Sequence, residues 1–282
     1  MKTILAYLKI LRPGNALMAM VTVALGFWLS GSLLPIASLV QMAIAAFCAV
    51  GFGNVVNDIV DVESDRISHP ERPLPRSELS LLTAIILAFF LCSFSFTNAF
   101  LVSITHGIGT AIPLALLTLY AFFLKGTPLG GNLIVSLLVA YTIVFGGLSA
   151  PQCGRLFIPA LLAFLLNFCR EIIKDVQDEP GDRAAGVETS AVLPKPLLKT
   201  VVLGFSAIYA VFLFIPFLLK QFGVVYLIAS AAIVLPLHCY WSFLVFQHQW
   251  KESLQRISFI IKIEMLAGLL ALAADQGYFL TH

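Results

Sequence analysis

The chain has 282 residues, 60% of them hydrophobic and only 11% charged, where a water-soluble domain carries roughly 25% charged residues. That deficit, with a mean hydropathy of +0.96, excludes a soluble globular protein and places the chain in a bilayer. The formal net charge of +2 identifies no partner, and no nucleic-acid partner is expected. Cys48, Cys92, Cys153, Cys169 and Cys239 are scattered without a CxxC pair, which points to buried small hydrophobes rather than a disulfide framework or zinc site.

Ile4 to Leu11 carries Lys9 and leads into Arg12-Pro13-Gly14-Asn15. It reads as a short amphipathic segment at the membrane surface. Apolar runs long enough to cross hydrocarbon, about 20 residues, follow at Ala16–Leu33, Ile36–Val56, Leu79–Ser95, Ala99–Leu124, Leu133–Ser149, Leu156–Ile173, Val201–Leu219, Val224–Phe246 and Ile257–Tyr278. The expected fold is therefore an all-α bundle of nine transmembrane helices around a central cavity, a single domain over residues 1–282.

With the N-terminus in the cytoplasm, fifteen of the 17 Lys and Arg residues fall on the inner side, and only Arg155 and Lys220 on the other. This bias predicts a multi-pass protein of the cell (inner) membrane, with its N-terminus and its charged mouth cytoplasmic. Twelve of the 15 acids lie in two segments, 58–78 and 171–188, both on the cytoplasmic side.

Those two segments are related. Asp58, Asp61, Asp65 and Arg66 recur, at the same spacing and 117 residues on, as Asp175, Asp178, Asp182 and Arg183; Gly14-Asn15 likewise recurs as Gly131-Asn132. The chain reads as a four-helix unit used twice, over about 12–128 and 129–246, plus a ninth helix near 257–279, an arrangement that favours a site between the halves. Asn54, Asp58, Asp61 and Asp65 form one stripe of a helix, with Asn57 one turn before Asp61. Asn167, Glu171, Asp175 and Asp178 form a similar one, after which Pro180-Gly181 is expected to break the helix, so that Asp182 reaches the site from a loop.

Oxygen donors without His or Cys suit Mg2+ rather than zinc or copper. Mg2+ takes one or two carboxylates and leaves its other positions to water and phosphate. Two such half-sites, flanked by Arg12, Arg66, Arg72, Lys125, Arg170, Lys174 and Arg183, would clamp a diphosphate. The bland alternative is a solvated acidic loop making surface ion pairs; duplication of the spacing argues against it.

The same residues carry a resemblance. Asn57-x-x-x-Asp61-x-x-x-Asp65, Asp178-x-x-x-Asp182, Arg12-Pro13-Gly14-Asn15, Tyr120 to Lys125, Thr127-Pro128 and Arg72-Pro73-Leu74 resemble the motifs of the UbiA superfamily of intramembrane prenyltransferases. Gly53-Asn-Val-Val-Asn57-Asp58, Thr127-Pro-Leu-Gly-Gly-Asn132 and Arg170-Glu-Ile-Ile-Lys174-Asp175 are closest to its geranylgeranylglycerol-phosphate geranylgeranyltransferase branch. The sequence departs from that pattern at Pro75-Arg76-Ser77 and Thr189-Ser190-Ala191-Val192, both relevant to acceptor choice. The resemblance implies catalytic roles for Asp58, Asp61, Asp65, Asp175, Asp178 and Asp182. It implies Mg2+ held by Asn57, Asp61 and Asp65, and a second Mg2+ held by Asp178 and Asp182. Substrate contacts are implied for Arg12, Asn15, Arg66, Arg72, Tyr120, Lys125, Arg170 and Lys174. The implied partners are a prenyl diphosphate donor, a lipid or aromatic acceptor, and the bilayer.

Prenylation of an aromatic ring in quinone synthesis would use the same acids and bases, with a different acceptor pocket. An acceptor bearing its own phosphate needs further cations at the mouth, for which Arg170 and Arg76 are candidates. A cation channel or transporter is the rival of another class; the parallel repeat and the acids at span ends weigh against it. Among the remaining polar residues, His106 and His238 are expected to pack or bond between helices, Trp241 to sit in an interfacial belt, and Asp275 to be interfacial, while Glu264 has no evident role.

Overall fold

The computed structural model describes residues 2–184 and 186–281, and every regular element among them is helical. In chain order these are α1 (Lys2–Leu11), α2 (Pro13–Leu29), α3 (Ile36–Val60), α4 (Val62–Ser68), α5 (Leu81–Val102), α6 (Ile104–Leu119), α7 (Gly130–Gly146), α8 (Phe157–Ala184), α9 (Lys195–Phe212), α10 (Ile215–Leu218), α11 (Val224–Ala229), α12 (Leu235–Phe246) and α13 (Leu254–Thr281). Wider π turns at Tyr120–Leu124 and Ser230–Val234 follow α6 and join α11 to α12.

Seven helices among the described residues are long and apolar enough to cross a membrane; the pair α1–α2, bent by 52° at Arg12, makes an eighth candidate. Arg12 takes a left-handed conformation (φ 49°) and Pro13 opens α2, so the amphipathic lead-in is a separate helix. Its Ala6 and Ile10 pack against Cys48, Phe52 and Val55 of α3. The shorter α7 has 17 residues, about 25 Å at 1.5 Å per residue. Each of the nine expected runs coincides with helix, but the count of clear crossings is seven to eight.

Two boundaries differ from expectation. The third and fourth runs divide at Ser103 rather than near Ser95–Ala99: Asn98 bonds back to the Phe94 carbonyl (2.8 Å) inside α5, so it does not end the helix. The extended Ser103 instead caps α6 by accepting from the His106 N–H at 3.2 Å. The second correction concerns α8, which continues through Pro180-Gly181 to Ala184. Proline disfavours a helix interior, but this last turn is tied down by Ser64 to Asp182 (3.1 Å) and Lys195 to Glu179 (2.7 Å). Asp182 is therefore a helical residue, one turn beyond Asp178.

Helices α2 and α7 cross in backbone contact. A Cβ on Gly26 would lie 1.9 Å from the Ile143 carbonyl oxygen, and one on Gly146 2.0 Å from that of Val23. Only glycine allows this backbone contact, the close approach that small residues permit between membrane helices. Large apolar side chains such as Leu82, Ile86, Phe89 and Phe90 face outward along α5, as a lipid-facing surface requires.

Several buried polar groups brace the bundle. Glu264, fully buried on α13, accepts from the Trp241 indole N–H (2.5 Å) and pairs with His238 Nδ1 (2.9 Å). His238 Nε2 in turn lies 2.8 Å from Ser206 Oγ. Trp241 is thus a core residue rather than part of an interfacial belt, its N–H having found an internal acceptor. Asp275 is also buried: it accepts from the Gly223 and Tyr226 N–H groups at 2.8 and 3.1 Å, and so caps α11.

Candidate active site

The acidic stripe of the first half spans a break between two helices. The path pauses at Asp61, yet its N–H still donates to Asn57 O (2.8 Å) and the Asp65 N–H to Asp61 O (2.7 Å). Helical phase is thereby kept, and Asn57, Asp61 and Asp65 retain one face. Each carboxylate of this half meets a cation. Asp58, 1% exposed, is paired by Arg12 with Arg72 at 3.5 Å; Arg72 NH1 reaches both oxygens of Asp65 at 2.5 Å; Lys125 pairs with Asp61. Lys125 arrives from the widened turn after α6, where its N–H bonds to Tyr120 O at 2.9 Å. Such π turns recur at functional sites because they re-aim side chains.

The second half presents its acids from the C-terminal end of α8. Asp178 bonds to His69 Nε2 at 3.1 Å and Asp182 accepts from Ser64 at 3.1 Å. Both contacts cross from one repeat motif to the other, so the segment after α3 folds down onto α8. Asp175 turns elsewhere: it is held by Asn132 (2.9 Å) and by the Ser190 N–H and hydroxyl (3.1 and 2.7 Å). Glu171 is shared by Arg170 (3.2 Å) and Lys174 (3.1 Å).

Charge balance shapes titration at the mouth. Burial pushes the Asp65 carboxyl above the usual carboxylate range, against the opposing pull of Arg72. The hydrogen bond to Asp178 raises the His69 imidazole above its ordinary value. Two carboxylates about 4 Å apart repel by roughly 4 kcal/mol at an effective dielectric of 20; the interleaved cations offset this.

Beneath the mouth lies a cavity of about 320 Å³, lined at its upper end by Arg12, Asn15, Asn57, Tyr120, Arg170 and Lys174. Below them the wall turns apolar. Ala45, Ala46, Ala49 and Gly53 of α3 face Val139 of α7 and Leu269 and Leu272 of α13. Asn57 and Ala45 are about 18 Å apart along α3 at 1.5 Å per residue, and small side chains on that face leave room for an extended apolar chain.

The structure thus gathers at one mouth the expected Arg12, Asn15, Asn57, Asp58, Asp61, Asp65, Arg72, Tyr120, Lys125, Arg170, Lys174, Asp178 and Asp182. Arg66 lies apart, with an exposed side chain paired to Glu63 at 2.9 Å, and Arg76 likewise pairs outward with Glu78 at 3.3 Å. Sequence reasoning passed over Ser64, His69 and Lys262. His69 lies four residues beyond Asp65 and extends the Asp61–Asp65 stripe by one turn, so spacing could have revealed it. Lys262 is a cation within an apolar span, itself a pointer to function.

No three Asp, Glu, His or Cys side chains among the described residues already form a metal cluster. The donor set nevertheless fits Mg2+: Asn57, Asp61, Asp65, Asp178 and Asp182 offer oxygen alone, and the pairs holding Asp61 and Asp178 come from Lys125 and His69 of other segments.

The UbiA prenyltransferase family model matches residues 19–263. The chain belongs to that family. Among its relatives, the digeranylgeranylglyceryl phosphate synthase of Methanosphaera stadtmanae is 34% identical over 270 residues, covering 95% of this chain and 97% of the relative. That of Korarchaeum cryptofilum is also 34% identical, covering 96% of each. Of solved structures, a digeranylgeranylglyceryl phosphate synthase superposes with a TM-score of 0.78 at 28% identity, covering 98% of this chain and 99% of the other. A UbiA homologue from Archaeoglobus fulgidus bound to GPP and Mg2+ gives 0.67 at 16% identity, covering 95% and 99%; at that identity the likeness is one of fold. Family membership makes the chain a prenyltransferase of isoprenoid metabolism, which removes the channel and transporter reading.

Proposed function

We propose that this protein transfers a geranylgeranyl group from its allylic diphosphate to the hydroxyl of geranylgeranylglyceryl phosphate, in Mg2+-dependent ether-lipid synthesis. One observation carries the reading: two acid motifs, cross-linked by His69–Asp178 and Ser64–Asp182, close over a deep apolar cavity. The names of the relatives over nearly the whole chain favour a glycerol-phosphate lipid above an aromatic acceptor.

In this reading Asn57, Asp61 and Asp65 hold one Mg2+ and Asp178 and Asp182 a second. The bound metal neutralises diphosphate charge and stabilises the leaving group. Arg72 and Lys125, which rest on Asp65 and Asp61, and Lys174 of α8 would supply positive charge to the diphosphate oxygens. Arg12 and Asp58 position this wall, and Tyr120 packs below it; Asp175 acts through Asn132 and Ser190 by fixing α8. The small residues of α3 orient the prenyl chain and exclude water from the reacting carbon. The C1–O bond of the allylic diphosphate breaks, and the acceptor oxygen forms the new ether and releases its proton. Arg66 and Arg76 have no part, since both pair outward.

The reading includes nine crossings and a doubled four-helix unit. It is supported by α2 at Pro13–Leu29 and α7 at Gly130–Gly146, equal in length and displaced by the same 117 residues as the acid motifs. Residues 1–282 form one domain in this view, with N-terminus and mouth cytoplasmic. The deciding assay incubates purified protein with geranylgeranyl diphosphate, Mg2+ and a panel of acceptors. Transfer to geranylgeranylglyceryl phosphate is expected; transfer to 4-hydroxybenzoate or a naphthoate, with none to the glycerol lipid, overturns it.

A further inference from the structure

We propose that Lys262 and Arg170, with Asn15, form a second anion subsite in the cavity, which takes the phosphate monoester of the acceptor lipid. This rests on the reading above and locates the acceptor's own charge within it. Lys262 lies on α13, in the last apolar run of the chain, and lines the cavity wall. Its Nζ is held 3.0 Å from Asn15 Oδ1 and would stand 3.7 Å from a Cβ on Gly14. Among the described residues no carboxylate pairs with it. Glu264, two residues on, is occupied by His238 and Trp241. A cation within an apolar span and without an anion partner points to a site.

Arg170 lines the same wall and repels Lys262. Its NH1 rests on Glu171, while its Nε is buried without a partner, a donor left over for a ligand. Lys174 shares Glu171. Lys174, already given to the donor, also interacts with Asp175 and Asp178, so Lys262 and Arg170 have between them Glu171 alone within ion-pair distance among the described residues, whereas on the opposite wall Arg12, Arg72 and Lys125 all rest on acids. That surplus matches a phosphate monoester, which carries about −1.5 to −2 charges near neutral pH.

The two halves of the chain differ at this point. In the second half Asn132 donates to Asp175 at 2.9 Å. The residues 117 positions earlier are Asn15 and Asp58, but Asp58 is taken by Arg12, and Asn15 is turned onto Lys262. Arg12, at the left-handed turn that opens α2, faces the donor wall, and Asn15, within α2, faces the basic one.

The test compares wild type with Lys262→Gln, Arg170→Gln and Lys262→Arg, using steady-state kinetics in detergent and a melting temperature for each. For geranylgeranylglyceryl phosphate, KM should rise about tenfold or more in each Gln variant, the loss expected from one charge-assisted hydrogen bond. The KM for geranylgeranyl diphosphate should stay within about twofold, and Lys262→Arg should recover most of the loss. With geranylgeranylglycerol, which lacks the phosphate, wild type should already bind weakly, and the substitutions should add less than about twofold. An unchanged acceptor KM, or an equal rise for donor and acceptor, overturns the subsite. So does an equal loss with both acceptors accompanied by a lowered melting temperature. A wild type that ignores the glycerol lipid but prenylates an aromatic acceptor overturns instead the function on which the subsite rests.

Discussion

Asp61 and Asp178 show why the acids of this site must be considered with their partners. Lys125 comes to Asp61 from the turn after α6, and His69 to Asp178 from the loop beyond α4. Asp61 is buried and Asp178 half-buried, and each is pre-aimed by its partner before substrate arrives, so replacing either removes both a proposed metal ligand and the anchor of a neighbouring segment. Asp61→Asn and Asp178→Asn should each lower kcat by about 10²–10³-fold, measured as diphosphate release at saturating donor. Release within a few fold of wild type in both variants would exclude the metal–diphosphate role. Chelation with EDTA should abolish turnover and added Mg2+ restore it; turnover that persists through exhaustive chelation contradicts the donor set assigned to these residues. The spacing of the aspartates was readable because a helix repeats every few residues. The identity of each cationic partner was not, because Lys125 lies 64 positions from Asp61 in the sequence and His69 109 from Asp178.

Among the helices, α2 and α7 make a tight crossing. Gly26 and Gly146 bring the backbones into contact, and an added methyl at either would meet a carbonyl oxygen. Gly26→Ala should destabilise by about 1–3 kcal/mol, as overpacking does, and lower the melting temperature by several degrees. Gly154→Ala is the control, since a Cβ there meets nothing within 4 Å. Equal melting temperatures for the two variants would show that the helices are not in backbone contact. The same scale explains the misplaced boundaries. Asn98 and Pro180-Gly181 have the composition of helix ends, yet a bond back to Phe94 and the grip of Ser64 on Asp182 keep both segments helical. Composition reports a local preference, which a side-chain bond within the helix overrides at Asn98 and a tertiary contact overrides at Pro180-Gly181.

For the molecule as a whole, the uneven distribution of Lys and Arg predicts an orientation of the bundle, and with it the compartment that would supply the substrates. Glu71 is exposed beside the mouth, and Leu33 is exposed between α2 and α3 at the other end of the bundle. In a background with the five native cysteines replaced, Glu71→Cys should react with an impermeant maleimide only from the cytoplasmic face, and Leu33→Cys only from the opposite one. Labelling of both from one side is incompatible with the assigned topology.

The sequence alone determined the solvent this chain folds in, its helical class, the duplicated acid motif and the oxygen-rich chemistry that motif can support. All of these are written in composition and in short-range periodicity. Only the tertiary structure decided that the first stripe passes a break at Asp61 without losing phase, that His69 and Ser64 bind the two motifs together, and that Arg66 faces away while Lys262 faces in. Such contacts join residues distant in the chain, and no local pattern specifies which of several nearby cations a buried carboxylate will meet.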